Sequence, residues 1–307
     1  MKNKNFADKT FFSITRIASI FCLVLIILLF LMLIKESLLA FNKFGFKFFI
    51  SKVWDPVFEE YGALPFIYGT VVSSILAIII SFPLSLGIAL FLSEFAGSKL
   101  KEFLSVIISL LAGIPSVIYG LWGIFVLAPI LRGYVEPFLQ KIFGFLPIFS
   151  GEPYGLDMLA AGIILSIMIT PTISSISKDV FEAVPRSLRE AALSLGATKW
   201  EMIKISVLKP AKQGIIGAVI LGLGRAVGET MAVTMVIGNV HEISLSLFHP
   251  SATLASVIAN EFAEATTDLY MSSLFTIGLT LFVVTIMLNI IAKFLVYSTT
   301  RKYKKLL

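Results

Sequence analysis

EAVPRSLREAALSLGATKWEMIKISVLKP, residues 182–210, is the stretch on which the fold turns. It is too polar to cross a membrane and too patterned to be a slack linker. Pro185 suits the first turn of a helix, where its missing N–H costs nothing. Ser187 to Leu195 are good helix formers, and Gly196 stands where a residue of positive φ would end the helix. Thr198, with Glu201 three residues on, reads as a capping box that starts a second helix. The expectation is a helix, a glycine turn and another helix, presenting Ala191, Ala192, Leu195 and Ala197 inside a rim of charge. Two roles fit such a unit: an amphipathic helix lying on a lipid surface, or a knob seated in a partner's groove.

The flanks of this segment are lipid-like. The chain of 307 residues is 57% hydrophobic and 14% charged, with a mean hydropathy of +0.95, where a soluble domain carries charge on about 25% of its residues. Crossing a bilayer core of ~30 Å takes about 20 apolar residues. No charge occurs between Phe103 and Leu131, or between Leu269 and Ala292. Backbone polar groups must pair internally in lipid, so such stretches are helices; the short alternating segments of an outer-membrane barrel are absent. The reading is all-α, a polytopic membrane protein of six transmembrane helices at about 14–40, 63–93, 103–131, 156–177, 212–239 and 269–297. The first run, Ile17 to Ile34, is longer than a signal core of ~7–15 residues and is read as a retained membrane helix.

Basic residues set the orientation. The N-terminal end, the turn at 93–102, the 178–212 loop and the C-terminal end hold 18 of the 25 Lys and Arg residues. The opposite side holds Lys35, Lys43, Lys47, Lys52, Arg132 and Lys141. Both termini and the 178–212 loop are therefore expected in the cytoplasm. The bias also accounts for a pI of about 9.3 without nucleic acid as a partner. Pro83, Pro115, Pro129 and Pro171 fall inside the spans, as packing kinks or as hinges of a gated path. Cys22 reads as a buried, inert thiol, and His241 and His249, which lack ligand spacing, as surface residues of a loop. No metal or cofactor is expected.

GLGRAVGETMAV, residues 222–233, places Arg225 and Glu229 in the fifth apolar run. A charge at mid-bilayer costs about 2.5–3.5 kcal/mol on insertion scales, so these residues face protein or water. Their spacing of four puts them on one face of a continuous helix, where they can pair. Gly224 and Gly228 form a small-x-x-x-small stripe on which another helix can pack. The pair is either a structural lock or part of a translocation path, closed at rest and releasing Arg225 to an anion. A guanidinium matches an oxyanion in a two-pronged way that an ammonium does not. Thr230, Thr234 and Asn239 would continue the same helix, and Glu261, Glu264 and Asp268 would rim the loop beyond.

EAALSLGA, with Glu190, Ala191, Ala192 and Gly196, resembles the EAA-x-x-x-G loop of ATP-binding cassette (ABC) importer permeases, although Lys209 separates Leu208 from Pro210 where that family usually has Leu-Pro. LPFIYGT (64–70), AGIPSVIYGLWGIFVLAP (112–129), REAALSLGATKWEMIK (189–204), GLGRAVGETMAVTMVIGN (222–239) and TLASVIANEFAEA (253–265) are similar to the phosphate-specific permease family, in its C-type subunit. The resemblance implies a type I ABC importer permease: residues 1–62 forming the first helix and an extracytoplasmic loop, residues 63–307 the transmembrane domain. It further implies a sister A-type permease subunit, an ATPase subunit dimer docked on Glu190, Ala191, Ala192, Gly196 and Ala197, an extracytoplasmic phosphate-binding protein, and inorganic phosphate as cargo. No G-x-x-x-x-G-K-[ST] loop occurs, so ATP hydrolysis is expected in a separate subunit and no catalytic residue in this one. Another oxyanion, sulfate or molybdate, and an ion-pair-gated secondary transporter are the alternatives; a secondary carrier would have no ATPase to dock.

Overall fold

The computed structural model describes the backbone of residues 2–304 and the side chains of residues 8–294. The side chains of Lys2, Lys4, Arg301, Lys302, Lys304 and Lys305, which contribute to the basic bias, lie outside the described residues. The chain forms α1 (Lys2–Phe44), α2 (Leu64–Phe95), α3 (Ser98–Ala112), α4 (Ser116–Phe143), α5 (Met158–Glu182), α6 (Arg186–Ser194), α7 (Lys199–Gly228), α8 (Met231–Val236), α9 (Leu254–Glu261) and α10 (Asp268–Lys304). Six of them, α1, α2, α4, α5, α7 and α10, are long and apolar enough to cross a membrane.

α5 is the central pillar, packed against both α2 and α7, which also meet each other. Small residues allow the close approach. A Cβ on Gly162 would collide with the Leu76 side chain of α2. On α7, Gly214 lies against Val180 and Gly222 against Ile173, with Ala218 fully buried between them. The described residues form three cores, two of which include residues of this pillar. The middle one surrounds Ile164, Met168 and Ile169. The one at the α6 end contains Ala89, Phe181, Met202 and Val207. At the opposite end Phe48, Trp54, Tyr61, Phe66, Leu254 and Tyr270 pack together, so residues 48–61 share a core with the residues after 63. α1 runs along α10, tied where Ser272 Oγ donates to the Glu36 carbonyl at 2.6 Å. Its remaining apolar surface is exposed, as lipid contact requires, and Cys22, expected to be buried, lies exposed on it because α1 packs on few neighbours.

Two expected spans are discontinuous. The stretch 103–131 is not one helix: α3 ends at Ala112, and the chain turns through Gly113 and Pro115 before α4 begins. α4 then runs on to Phe143, through residues expected to be loop. The stretch 212–239 also breaks. α7 ends at Gly228, Glu229 is extended at φ −71° and ψ 126°, and α8 starts at Met231. The half-helices α4 and α8 lie side by side, Gly120 against Met235 and Gly123 against Val236. Gly120 and Met235 each stand five residues after the N-cap of their helix, Pro115 and Thr230. Pro83 and Pro171 ride inside unbroken helices, and Pro129 sits between two wide π-helical turns.

Candidate functional site

The 182–210 segment folds largely as its residues dictate. Pro185 stands one position earlier than expected, as the N-cap at φ −57° and ψ 136°, and α6 begins at Arg186. α6 ends in a Schellman motif. Gly196 adopts φ +86°, its N–H reaches the Leu193 carbonyl at 3.0 Å, and the Ala197 N–H reaches Ala192 at 3.2 Å. The capping box forms as expected, Thr198 Oγ1 accepting from Glu201 N and Glu201 Oε2 accepting from Thr198 N at 2.8 Å. Ala192 turns inward to the core at this end, while Glu190, Ala191 and Gly196 are exposed and Ala197 is half-buried. Leu195 is 89% exposed, and Leu188, Leu193 and Trp200 are exposed around it. The result is an apolar tip on a rigid base.

The base was not legible in the sequence. Arg189, beside Glu190, turns its guanidinium away from the tip. Nη2 and Nε donate to the two carboxylate oxygens of Glu94 at 2.8 and 3.1 Å. Nη1 donates to the Val184 carbonyl at 2.6 Å, and Nη2 also to that of Phe181 at 2.8 Å. Glu94 belongs to the wide last turn of α2, 95 positions away in sequence.

The second site is the broken fifth span. Arg225 lies in the last turn of α7, where the helix dipole favours a cation. Its Nη1 donates to Thr172 Oγ1 on α5 at 3.2 Å. Thr172 lies roughly 21 Å along a helix about 37 Å long, so this contact is near mid-depth. Among the described residues Arg225 and Glu229 form no ion pair. The expected pairing fails because the helix ends between them, and Glu229 Oε1 instead accepts from the Ala232 N–H of α8 at 3.4 Å. Thr230 and Thr234 are not continuous with α7, and their hydroxyls donate to the Gly228 and Thr230 carbonyls. A methyl added at Gly224 or Gly228 would meet nothing within 4 Å, so no helix among the described residues packs on them; the stripe that packs is Gly214, Ala218 and Gly222.

At the far end, Glu261 is buried rather than on a rim. Its carboxylate accepts from Trp54 Nε1 at 2.6 Å and Tyr270 Oη at 2.7 Å, and faces His241 Nε2 at 3.2 Å. His241 is likewise drawn inward, edge-on to Phe66. Burial lowers its pKa below the usual 6.5, and Glu261 pulls the other way. Glu264 and Asp268 are exposed. Among the described residues no group of three or more His, Cys, Asp or Glu side chains is placed to hold a metal.

The chain is a membrane permease, with an unbroken central helix, broken spans beside it and an exposed apolar knob at one end. The same fold occurs in a bacterial ABC transporter involved in the import of the acidic polysaccharide alginate, at a TM-score of 0.58 and 17% identity over 86% of this chain and 88% of that one. The chain belongs to the family of binding-protein-dependent transport system inner membrane components, whose family model matches residues 83–305. It is 49% identical to the phosphate transport system permease protein PstC of Mesorhizobium japonicum, over 94% of this chain and 89% of the relative. It is 43% identical to that of Pasteurella multocida, over 98% and 95%.

Proposed function

We propose that this chain is the C-type membrane permease subunit of an ATP-driven phosphate importer. One observation carries the reading: the tip of α6 is apolar and exposed on a rigid base in a membrane body, which suits it to dock a subunit that supplies the energy. The likeness to PstC permeases over nearly the whole chain supports phosphate as the cargo. The protein lies in the cytoplasmic membrane, with both termini and α6 in the cytoplasm. A sister A-type permease completes the pathway and packs on the open Gly224 and Gly228 stripe. An ATPase dimer seats Glu190, Ala191, Ala192, Gly196 and Ala197. A phosphate-binding protein delivers cargo at the opposite end, where Glu264 and Asp268 are exposed.

The break between α7 and α8 lies beside Arg225 near mid-depth. Arg225, steadied through Nη1 by Thr172, offers its remaining N–H donors to phosphate oxygens. Glu229 fixes the start of α8, and Thr230 and Thr234 line the break. Closure of the ATPase dimer displaces α6 and rocks the spans about this level, which is alternating access.

The test is radiolabelled phosphate uptake into vesicles holding this chain with its sister permease, ATPase and binding protein. Uptake is expected to require ATP and to fall at least about tenfold with Glu190→Lys. Uptake indifferent to ATP would overturn the coupling. Uptake of sulfate or molybdate in place of phosphate would overturn the cargo.

A further inference from the structure

One guanidinium, that of Arg189, binds three elements at once. Its two contacts to Glu94 hold the end of α2, and its contacts to the Phe181 and Val184 carbonyls hold the end of α5. Phe181 is in the last turn of α5 and Val184 two residues past its end, where the helix dipole favours a cation; the Phe181 carbonyl also accepts from the Val184 N–H at 3.2 Å. The Glu94 side chain is 5% exposed and that of Arg189 16%, so water does not compete effectively for either. Ser206 Oγ closes the fourth side, donating to the Leu188 carbonyl at 3.0 Å and tying α6 to the start of α7. Phe181, 0% exposed, anchors the joint in the core at this end.

From this geometry we infer that Arg189 and Glu94 are the mechanical joint of the transporter, positioning residues that carry displacement of α6 into α2 and α5. The inference rests on the reading of the chain as an ATP-driven permease subunit. Without the joint, α6 would follow the ATPase while the two longest-packed spans stayed behind. A planar, bidentate fork resists the change of angle that a single contact allows. Lysine at 189 keeps the charge but makes point contacts and cannot span a carboxylate and two carbonyls together.

Two measurements on the assembled, reconstituted transporter test this. The first is inorganic phosphate taken up per ATP hydrolysed: Arg189→Lys and Glu94→Gln are each expected to lower this ratio about tenfold in complexes of normal subunit composition. A merely structural role would reduce the amount of complex and leave the ratio at its wild-type value, which would overturn the joint. The second leaves Arg189 and Glu94 in place and needs no cargo. Spin labels at Ser98 and Ser194, in a chain with Cys22→Ser, should keep one separation between the nucleotide-free and ATP-vanadate states. A Ser194–Ile290 pair should change over the same step. A Ser98–Ser194 separation that changes as much, or a Ser194–Ile290 separation that does not change, overturns the joint. A wild-type complex that moves in this way yet imports no phosphate overturns the cargo reading alone.

Discussion

Arg189 and Arg225 each stand near a glutamate, and the two regions use the charge in opposite ways. Arg189 finds its carboxylate on another helix and closes on it with both prongs. Arg225 has a carboxylate four positions along its own chain and does not touch it, because the helix stops in between. Sequence distance is thus a poor guide to which charges are consumed. The first arginine is spent on holding structure, and its partner is buried with it. The second, among the described residues, donates to a neutral threonine, Thr172, beside a break in the backbone.

The sharpest way to break this contrast is to delete each guanidinium. Arg189→Ala strands the buried Glu94 and takes a donor from the Phe181 and Val184 carbonyls. Removing one partner of a buried pair costs about 3–5 kcal/mol, to be seen as a lower unfolding midpoint of the purified chain in detergent. Arg225→Ala strands no buried carboxylate and is expected to shift the same midpoint by less than about 1 kcal/mol, near the net worth of one hydrogen bond. Its phosphate uptake should fall about 100-fold. Equal stability losses from the two variants would erase the distinction.

Arg225→Lys refines the second half. If the two-pronged fit matters, uptake falls roughly tenfold, about 1.4 kcal/mol, with assembly intact. Transport at the wild-type rate would reduce Arg225 to a point charge.

The same contrast explains what the sequence could and could not reveal. Around α6 every signal is local: Gly196 for the left-handed turn, Thr198 and Glu201 for the capping box. Local signals survive folding, and the turn and cap stand where they were expected. Apolar length likewise marks six crossings, since lipid imposes it on each span separately. What failed depends on neighbours. Glu229 and Thr230 carry no Pro, and nothing in GLGRAVGETMAV marks an end to the helix; Gly228 is as compatible with a packing stripe as with a terminus. The break is held by contacts of α8 with α4, such as Gly120 on Met235. Pro115 did announce a break, but three other prolines carried the same signal and two left their helices unbroken. Glu94 gave no hint of Arg189, and Glu261, in an acidic loop, gave none of burial against Trp54.

Glycine substitution extends the comparison from charges to packing. A methyl on Gly69 would overlap the Ala252 carbonyl oxygen, a backbone atom that cannot step aside. Gly69→Ala should cost about 1–3 kcal/mol through overpacking. Gly224→Ala meets nothing among the described residues, and alanine's better helix propensity gains up to about 1 kcal/mol. The isolated chain should therefore be no less stable with Gly224→Ala, while co-purification of the sister permease falls. Retention of the partner at the wild-type level would remove that stripe from the subunit interface.

A third pair, His241 with Glu261, lies between the two extremes and is tuned by pH. Glu261 already accepts from two neutral donors, Trp54 and Tyr270. Burial outweighs its pull on His241, whose pKa falls below the ordinary 6.5. The unfolded chain therefore takes up a proton near pH 6.5 that the folded chain accepts only at lower pH. The contribution to stability is complete above pH 6.5 and is lost as pH falls toward the depressed folded value, by at most about 1.4 kcal/mol per pH unit. His241→Gln removes the titration and keeps a polar side chain facing Glu261. Between pH 7.5 and 5.5 the wild-type unfolding midpoint should drop further than that of the variant, with Trp54 emission reporting loss of the cluster. A smaller drop in the wild type would mean that the carboxylate, not burial, governs His241, and would move the pair to the side of Arg189 and Glu94.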